Sequence, residues 1–254
     1  MTLAFDLPSC PNSLITRLDA RWKLAGVLLA VALLAPLTSP GPALSALAGA
    51  LLVAWIARVP LGWYLRRLGT SLALFTLFLI WLPLVVEPGH DVWDLGWLQI
   101  SVTGTIRLLA LSAKLCALIS LVLVLLATTP LPELFKAAQA LYIPRIIVHV
   151  SLLTYRYVYL VAEEFARLRL ALRVRGFRNQ ASVHSYRTVG QVAGTLLVRS
   201  EERAERVGRA MECRGFTGAM HTLNEFATTL RDVVGFMVCV GIAGSLLAWD
   251  RLGY

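Results

Sequence analysis

Two short stretches of the sequence share the pattern Ala-x-x-x-Arg-Gly-Phe, and they are the clearest candidates for a binding function. The shared positions are Ala171, Arg175 and Gly176 in the first copy and Ala210, Arg214 and Gly215 in the second. Arginine presents a rigid fork of donors that fits a carboxylate. Glycine just after a helix end adopts the left-handed conformation that closes the helix. An alanine one turn earlier keeps the surface beside the arginine flat, so that a groove or another helix can approach.

The arginines of the two copies are 39 positions apart, and each copy ends a segment with helical periodicity. One Arg-Gly pair would be an ordinary helix ending, because a basic residue in the last turn complements the helix dipole. Two copies with four identities over seven positions favour a shared task. We therefore expect two exposed arginine tips that dock onto a partner with two equivalent acidic grooves.

The sequence contains no motif for catalysis or for a bound cofactor or metal. It has no glycine-rich phosphate loop, no His-Glu-x-x-His and no Gly-x-Ser-x-Gly, the patterns that would mark such sites. The four cysteines are scattered and form no metal-binding pair. His90 with Asp91 and Asp94 could loosely collect a divalent cation, but their spacing favours a solvated polar loop. We expect no catalytic residue, no cofactor and no metal ligand.

The composition indicates the setting in which these motifs are held. Of the 254 residues, 57% are hydrophobic and 15% are charged, whereas about 25% of the residues of a soluble chain are charged. A chain of this kind is solvated by a bilayer, so we predict an all-α integral membrane protein. The net charge of +9 indicates basic cytoplasmic loops rather than binding to nucleic acid.

Apolar stretches predict about five transmembrane helices. A span needs about 20 apolar residues, and the candidate segments are 24–39, 42–57, 68–86, 105–127 and a last one within 229–254. A turn at Pro40-Gly41-Pro42 is expected to separate the first two. Lys114 lies within the fourth span. We expect its ammonium to snorkel toward the membrane surface, with a functional role inside the membrane as the alternative.

The distribution of Lys and Arg predicts the topology. Basic residues precede the first span and occupy the second connection, whereas the loop 87–104 has none. Because basic loops stay in the cytoplasm, we expect a multi-pass protein of the plasma (inner) membrane with a cytoplasmic N-terminus. The transmembrane domain is then 1–127, the basic region 128–228 forms a cytoplasmic domain, and 229–254 is the final transmembrane helix.

The cytoplasmic region 128–228 is predicted to contain three helices, at about 130–143, 145–175 and 189–214. The first half of the second helix is apolar enough to enter the bilayer as a sixth span, but Arg156 favours a half-buried stalk. In the third helix, Glu202 with Arg206 and Glu205 with Arg209 have the spacing of ion pairs on an exposed helix.

The double arginine pattern resembles the transmembrane T component of energy-coupling factor transporters. These transporters take up vitamins and metals and are driven by a pair of cytoplasmic ATPases. The resemblance covers most of the chain, including 17–23, Tyr155-Arg156-Tyr157 and both arginine motifs. Its most specific part is 199–218, which is similar to the cobalt-type member, the CbiQ family. Ala20 departs slightly from the pattern, since the family often has Pro there.

This resemblance implies long crossing helices that couple the spans to two cytoplasmic ABC-type ATPase subunits. The ATPase-coupling residues would be Ala171, Arg175, Gly176, Ala210, Arg214 and Gly215. The spans would contact the lipid bilayer and a small membrane substrate-binding subunit, with no nucleic acid as a partner. ATP hydrolysis would take place in the partner subunits, so this chain itself would not be an enzyme.

The substrate stays open at this point, because the resemblance places recognition in another subunit. Cobalt is favoured, and nickel or a vitamin is the alternative. Two other classes of protein are also considered. A lipid-modifying membrane enzyme would need a nucleophile or metal cluster at headgroup level, and the sequence offers none. A regulatory membrane protein whose arginine tips bind another cytoplasmic partner differs from the transporter only through the family resemblance.

Overall fold

A computed structural model describes residues 13, 15–16, 18–79, 92–94, 99–216 and 228–252 of the chain. The end of the predicted span 68–86, the polar group at His90 and Asp91, and Arg17 lie outside these residues. The described part is built almost entirely of helices, so the predicted all-α class is confirmed.

Eight helices follow one another in the described residues. They are α1 (Ala20–Leu34), α2 (Pro40–Ile56), α3 (Leu61–Leu79), α4 (Val102–Thr128), α5 (Leu131–Ala140), α6 (Arg145–Val174), α7 (Val183–Cys213) and α8 (Leu230–Leu252). Two short antiparallel strands, β1 (Val92–Asp94) and β2 (Gln99–Ser101), lie between α3 and α4. The chain divides into two compact units: Met1–Leu141 with Phe226–Tyr254, and Tyr142–Glu225.

Small side chains allow α2 and α4 to pack closely in the first unit. The buried face of α2 carries Ala46, Ala50 and Ala54 at four-residue spacing. Ala117 of α4, which is 1% exposed, packs in the same cluster as Ala46 and Ala50. In hydrocarbon no hydrophobic force drives helices together, so close approach and dispersion contacts stabilise the pair. A stripe of small residues of this kind is typical of helix interfaces in membranes.

A buried polar chain links three helices of the same unit. The Tyr64 hydroxyl of α3 and the Ser120 hydroxyl of α4 share a hydrogen bond of 2.6 Å. Ser120 also donates to the carbonyl oxygen of Ala50 in α2 at 3.4 Å. Since water is absent from a hydrocarbon environment, hydroxyls there must find partners within the protein. These bonds connect α2, α3 and α4 through one buried serine.

The break between the first two helices lies before the proline pair, not at it. α1 ends at Leu34 and α2 begins at Pro40, so the prediction of a turn at Pro40-Gly41-Pro42 is wrong. Proline suits the first turn of a helix, because the missing N–H would have no partner there and its fixed φ is already helical. The turn is formed instead by the five residues 35–39.

Three described helical stretches are long and apolar enough to cross a membrane: Gly104–Thr128, Arg145–Val174 and Leu230–Leu252. α1 and α2 have 15 and 17 residues, and helices of this size reach about 22 and 26 Å, slightly less than the roughly 30 Å hydrocarbon core of a bilayer. The number and limits of the spans stay a prediction. The choice between a stalk and a sixth span for α6 also stays open.

In its described residues, the second unit contains the two long helices α6 and α7, with 30 and 31 residues. α7 begins at Val183 rather than near Val189 as the sequence analysis expected. The reason is an N-cap: the Ser182 hydroxyl accepts a hydrogen bond from the backbone N–H of Ser185 at 3.2 Å. A side-chain acceptor at this position satisfies one of the free amides of the first turn.

Candidate functional site: two arginine tips

The first arginine motif closes α6 with a complete glycine cap. Gly176 has a φ of +78°, and its N–H donates to the carbonyl of Arg173 at 3.0 Å. The N–H of Phe177 donates to the carbonyl of Leu172, also at 3.0 Å. This pair of bonds is the Schellman motif, which requires a left-handed residue just past the helix end. Arg175 is therefore held at the terminus of α6, where the chain turns away.

The second motif closes α7 with the same backbone geometry. Gly215 has a φ of +74°, and its N–H donates to the carbonyl of Glu212 at 2.9 Å. The N–H of Phe216 donates to the carbonyl of Met211 at 3.1 Å. Arg214 thus occupies the position that Arg175 occupies in α6. We call Arg175-Gly176-Phe177 and Arg214-Gly215-Phe216 the arginine tips.

The arginine and the glycine of each tip are exposed to solvent. Arg175 and Arg214 are exposed, as are Ala171 and Ala210 one turn earlier. Within the part of the chain that the structure describes, neither arginine makes an ion pair. A Cβ atom built on either glycine of the tips would meet nothing within 4 Å. Two guanidinium groups therefore stand free on flat helix ends, ready to contact another molecule.

One carboxylate joins α6 to α7 away from the tips. Glu164 of α6 accepts a hydrogen bond from Arg199 of α7 at 2.9 Å and a weaker one from Arg203 at 3.5 Å. The Glu164 side chain is 20% exposed, against 50% and 31% for the two arginines. We call this group the Glu164 bridge. The sequence did not reveal this bridge, because Glu164 and its partners lie more than a helix length apart in the chain.

The contacts between α6 and α7 show that the two helices run in opposite senses. The His149 ring, near the start of α6, stacks on the Phe216 ring after the end of α7, with centroids 5.1 Å apart. Farther along α6, Glu164 meets Arg199 and Arg203, which lie earlier in α7. The contacts thus move toward the start of one helix as they move toward the end of the other. The arginine tips consequently lie at opposite ends of the helix pair.

The repeat is longer than the seven residues recognised in the sequence. Glu163 and Arg167 form an ion pair at 3.5 Å, and the equivalent residues Glu202 and Arg206 form one at 3.8 Å. The full pattern is Glu-x-x-x-Arg-x-x-x-Ala-x-x-x-Arg-Gly-Phe, which puts the shared residues on one side of each helix. Its four-residue spacing was the signal that could have revealed it. Both ion pairs predicted for α7 are confirmed, the second at 2.7 Å.

Charged residues in the first unit have a different task, because they bind the ends of neighbouring helices. The Asp250 carboxylate of α8 accepts from the backbone N–H groups of Thr38 and Ser39 at 3.1 and 3.0 Å, and from both of their hydroxyls. Ser39 is the N-cap of α2. Asp250 is only 5% exposed. A buried carboxylate from α8 thus neutralises the positive end of α2.

Lys114 completes the same turn from the other side. Its ammonium donates to the carbonyl oxygens of Ala35 at 2.9 Å and Leu37 at 3.1 Å, just after the end of α1. The Lys114 ammonium therefore points to the turn between α1 and α2, and its snorkelling toward the membrane surface stays a prediction. A cation at this place stabilises the negative end of the α1 dipole, and the helix end supplies acceptors closer than water.

A second carboxylate of α8 holds the start of α1. Asp232, which is 4% exposed, accepts from the backbone N–H of Asp19 at 2.9 Å and of Thr229 at 2.8 Å. Asp19 is the N-cap of α1. Burial raises the pKa of the Asp19 carboxyl, and the neighbouring Asp232 charge adds to the rise. Asp232 and Asp250 thus tie α8 to the beginnings of α1 and α2.

The described residues offer no alternative chemistry. Among them, no three His, Cys, Asp or Glu side chains gather where they could hold a metal ion. Cys116 is buried, Cys239 is half-buried and Cys213 is exposed, and all three are free thiols. The arginine tips and the Glu164 bridge are therefore the features of the second unit that call for a functional account.

Comparison with known proteins identifies the family. The model of the cobalt transport protein family CbiQ matches residues 11–223. The cobalt transport protein CbiQ of Rhodobacter capsulatus is 29% identical over 119 residues, which cover 47% of this chain and 48% of that protein. Energy-coupling factor transporter transmembrane proteins EcfT are also similar. That of Exiguobacterium sibiricum is 27% identical over 78% of this chain and 80% of its own length, and that of Brevibacillus brevis is 26% identical over 94% and 95%.

These relatives are membrane components of transporters, so the lipid-modifying enzyme considered in the sequence analysis is wrong. The resemblance of the chain to the T component is confirmed, and the apolar helices agree with a membrane location. The chain belongs to the CbiQ cobalt transport protein family and is the transmembrane component of a transporter of the energy-coupling factor type.

Proposed function

We propose that this chain couples two cytoplasmic ABC-type ATPase subunits to a small membrane substrate-binding subunit during uptake. The arginine tips enter acidic grooves on the two ATPases, one tip in each. Closure of the ATPase pair on binding ATP then moves α6 and α7, and these helices carry the movement to the membrane subunit. The coupling residues are Ala171, Arg175 and Gly176 on α6 and Ala210, Arg214 and Gly215 on α7.

The observation that carries this proposal is the presence of two equal, exposed arginine tips at opposite ends of one helix pair. Their caps have φ values of +78° and +74° with matching hydrogen bonds. A partner that binds both tips in the same way must itself present two equivalent sites, as a pair of like ATPase subunits does. Guanidinium groups bind carboxylates through two parallel hydrogen bonds, which gives such contacts both strength and orientation.

The direction of the helices in the first unit supports a cytoplasmic N-terminus. Asp232, at the start of α8, contacts Asp19 at the start of α1. Asp250, at the end of α8, contacts Thr38 and Ser39 after the end of α1. α1 and α8 therefore run in the same direction, as required if both leave the cytoplasm. A basic N-terminal segment and a basic 128–228 region then both lie on the cytoplasmic side.

The proposal is tested by purifying the tagged protein from membranes of its own host in mild detergent and identifying the proteins that accompany it. The decisive variant is Arg175→Ala with Arg214→Ala. Truncating one partner of a buried Arg–carboxylate contact costs about 2–5 kcal/mol, so losing both contacts releases the ATPases. The matched control is Arg173→Ala with Arg209→Ala, which removes the same charge from exposed positions near the same two helix ends, two residues before Arg175 and five before Arg214.

Loss of the ATPases from the Arg175/Arg214 variant alone, with equal amounts of protein in the membrane, supports the proposal. Recovery of ATPases at the wild-type ratio from that variant overturns the assignment of the tips. Recovery of some other cytoplasmic protein in place of ATPases from the wild type supports the regulatory alternative instead.

We further propose cobalt as the substrate, on the strength of the family description and the cobalt transport relative. The names of the EcfT relatives specify no substrate, so nickel and a vitamin stay as alternatives. Cells that carry the complete transporter are expected to accumulate radioactive cobalt from submicromolar solution. Accumulation of radioactive nickel but not of radioactive cobalt would assign the transporter to nickel, and accumulation of neither metal would favour a vitamin.

A further inference from the structure

The Glu164 bridge differs from the other ion pairs of the second unit. Glu163, the preceding residue, pairs with Arg167 of its own helix, and both side chains are largely exposed, at 66% and 78%. Glu164 is 20% exposed and binds two arginines of the other helix. An exposed pair within one helix contributes little. A partly buried carboxylate shared by two guanidiniums of another helix can fix where the two helices cross.

The position of the bridge follows from the repeat. Glu164 and Arg203 are 39 positions apart, the same offset that relates Arg175 to Arg214. Two copies of one helix that cross in opposite senses about a two-fold axis bring equivalent positions face to face. Identical charged residues there would repel, whereas a glutamate in one copy and an arginine in the other attract. The repeat is thus broken at the position where the break creates an ion pair.

The bridge is also equidistant from the two tips along the chain. Glu164 precedes Arg175 by the same number of residues as Arg203 precedes Arg214, namely eleven. At 1.5 Å per residue, each tip extends about 17 Å beyond the bridge. A small rotation or slide at the crossing would therefore displace both tips equally and in opposite directions.

Apolar packing at the crossing is incomplete. A groove of about 350 Å³ opens beside the bridge. It is lined by the bridge residues and by Leu160, Arg167, Leu168 and Ala171 of α6. Because this groove leaves space beside the bridge, the charged contacts help to hold the register of the crossing there. Interdigitated side chains would otherwise perform that task.

We infer that Glu164 is a positioning residue that fixes the crossing of α6 and α7, and with it the separation of the two arginine tips. Arg199 and Arg203 are its partners. This inference rests on the proposed function in one respect, namely that the separation matters because the tips engage two ATPases. The bridge makes the two helices one rigid lever, so that the tips cannot respond independently.

The test measures the distance between the tips by pulsed electron–electron double resonance on the full chain in lipid nanodiscs. Spin labels are attached at Cys213 and at Val174→Cys, equivalent exposed positions of the repeat, after Cys10, Cys116 and Cys239 are replaced by alanine. The wild type is expected to give one narrow distance peak. In Glu164→Gln, the population outside that peak should rise about fivefold, which corresponds to ~1 kcal/mol.

Two further variants separate positioning from a general loss of structure. Glu163→Gln removes a charge from the neighbouring exposed residue and is expected to leave the distance peak unchanged. Glu164→Arg with Arg199→Glu and Arg203→Glu reverses the charges of the whole bridge and is expected to narrow the distance distribution again. Arg203→Gln removes a partner of Glu164 from α7 and is also expected to broaden the distance distribution. It replaces Glu164→Gln in the test if that variant does not accumulate in the membrane.

An unchanged distribution in both Glu164→Gln and Arg203→Gln overturns the inference, and so does equal broadening in Glu163→Gln. A reversed bridge whose distance distribution stays as broad as that of Glu164→Gln also overturns the inference. The same samples are assayed for co-purified ATPases. Their absence from the wild type contradicts the proposed function but leaves the distance result intact, so the two failures are distinguishable.

Discussion

The charged residues of the two units are used in opposite ways. In the first unit, Asp232, Asp250 and Lys114 each bind the backbone at an end of another helix, and both aspartates are almost fully buried. In the second unit, Arg175 and Arg214 lie exposed at the ends of their own helices. The first arrangement satisfies charges inside the protein, and the second leaves them available to a partner.

This difference has a common physical origin in the free backbone groups of helix ends. In an apolar environment those groups have no water, so each end needs a partner from the protein. α8 and α4 provide these partners for the turn between α1 and α2. At the arginine tips, glycine closes the helix through backbone bonds alone, and the side chain beside it is spared for another contact. A charge that caps a neighbour therefore indicates architecture, whereas a charge on a self-capped end indicates docking.

The largest effect on stability is expected from Asp250→Ala. This change leaves the backbone N–H groups of Thr38 and Ser39 and their hydroxyls without the charged acceptor that the buried Asp250 provides. Hydrogen bonds to a charged group contribute about 1.5–3 kcal/mol each, so we expect a loss of at least ~3 kcal/mol in the free energy of unfolding. Thermal unfolding of the purified protein, followed by the fluorescence of its tryptophans, measures the loss.

Arg251→Gln is the matched control for Asp250→Ala, because it removes a charge from the adjacent, exposed position on α8. Its midpoint should stay close to that of the wild type. If the two variants unfold alike, Asp250 is not the acceptor that holds the turn, and the contrast between the two units loses its strongest case.

A smaller loss is expected from Lys114→Met. Methionine has a similar length but no donor, so the carbonyls of Ala35 and Leu37 lose two charge-assisted hydrogen bonds, worth about 2 kcal/mol together in this half-open position. A snorkelling lysine would behave differently, since replacing it by an apolar residue in a span would be neutral or stabilising. Unfolding midpoints in the same assay distinguish the two outcomes, and a midpoint raised above the wild type contradicts the cap.

The sequence predicted those features that depend on composition or on local spacing. It predicted the all-α class from apolar stretches, and it predicted two equal helix ends from a pattern of seven residues. The partners of Asp250 and Lys114 were out of reach, since 212 and 79 positions separate these residues from the groups they bind. A buried charge and an exposed one look alike until the facing helix is known.

The prediction of the turn before α2 was wrong for a different reason. Proline and glycine in succession indicate a turn in most settings, but the first turn of a helix tolerates both. A capping carboxylate from α8 decided between the two, and it lies near the far end of the chain. The Glu164 bridge was missed although both of its helices were predicted. The local sequence of one helix does not tell which of its residues will face which residues of the other.

The smallest effects concern three helix ends that share one backbone geometry, although the left-handed residue is glycine in two of them and arginine in the third. Arg58 follows α2 with a φ of +51°, in the position that Gly176 and Gly215 occupy after α6 and α7. The N–H groups of Arg58 and Val59 donate to carbonyls two and three residues from the helix end, as in the glycine caps. A side chain in the left-handed region costs about 1 kcal/mol. Arg58→Gly should therefore stabilise the first unit by up to ~1 kcal/mol.

Gly215→Ala is the reverse experiment and should destabilise the end of α7 by about the same ~1 kcal/mol. Because an added Cβ meets nothing within 4 Å, the whole effect arises from the backbone. Hydrogen exchange at the amides of the last helical turns measures both changes locally. The exchange rate should rise in Gly215→Ala and fall in Arg58→Gly. If Arg58→Gly instead speeds exchange after α2, the arginine side chain stabilises that end by contacts of its own. Arg58 would then be an exposed arginine with a structural task, and the first unit would use even its exposed charges for structure rather than for docking.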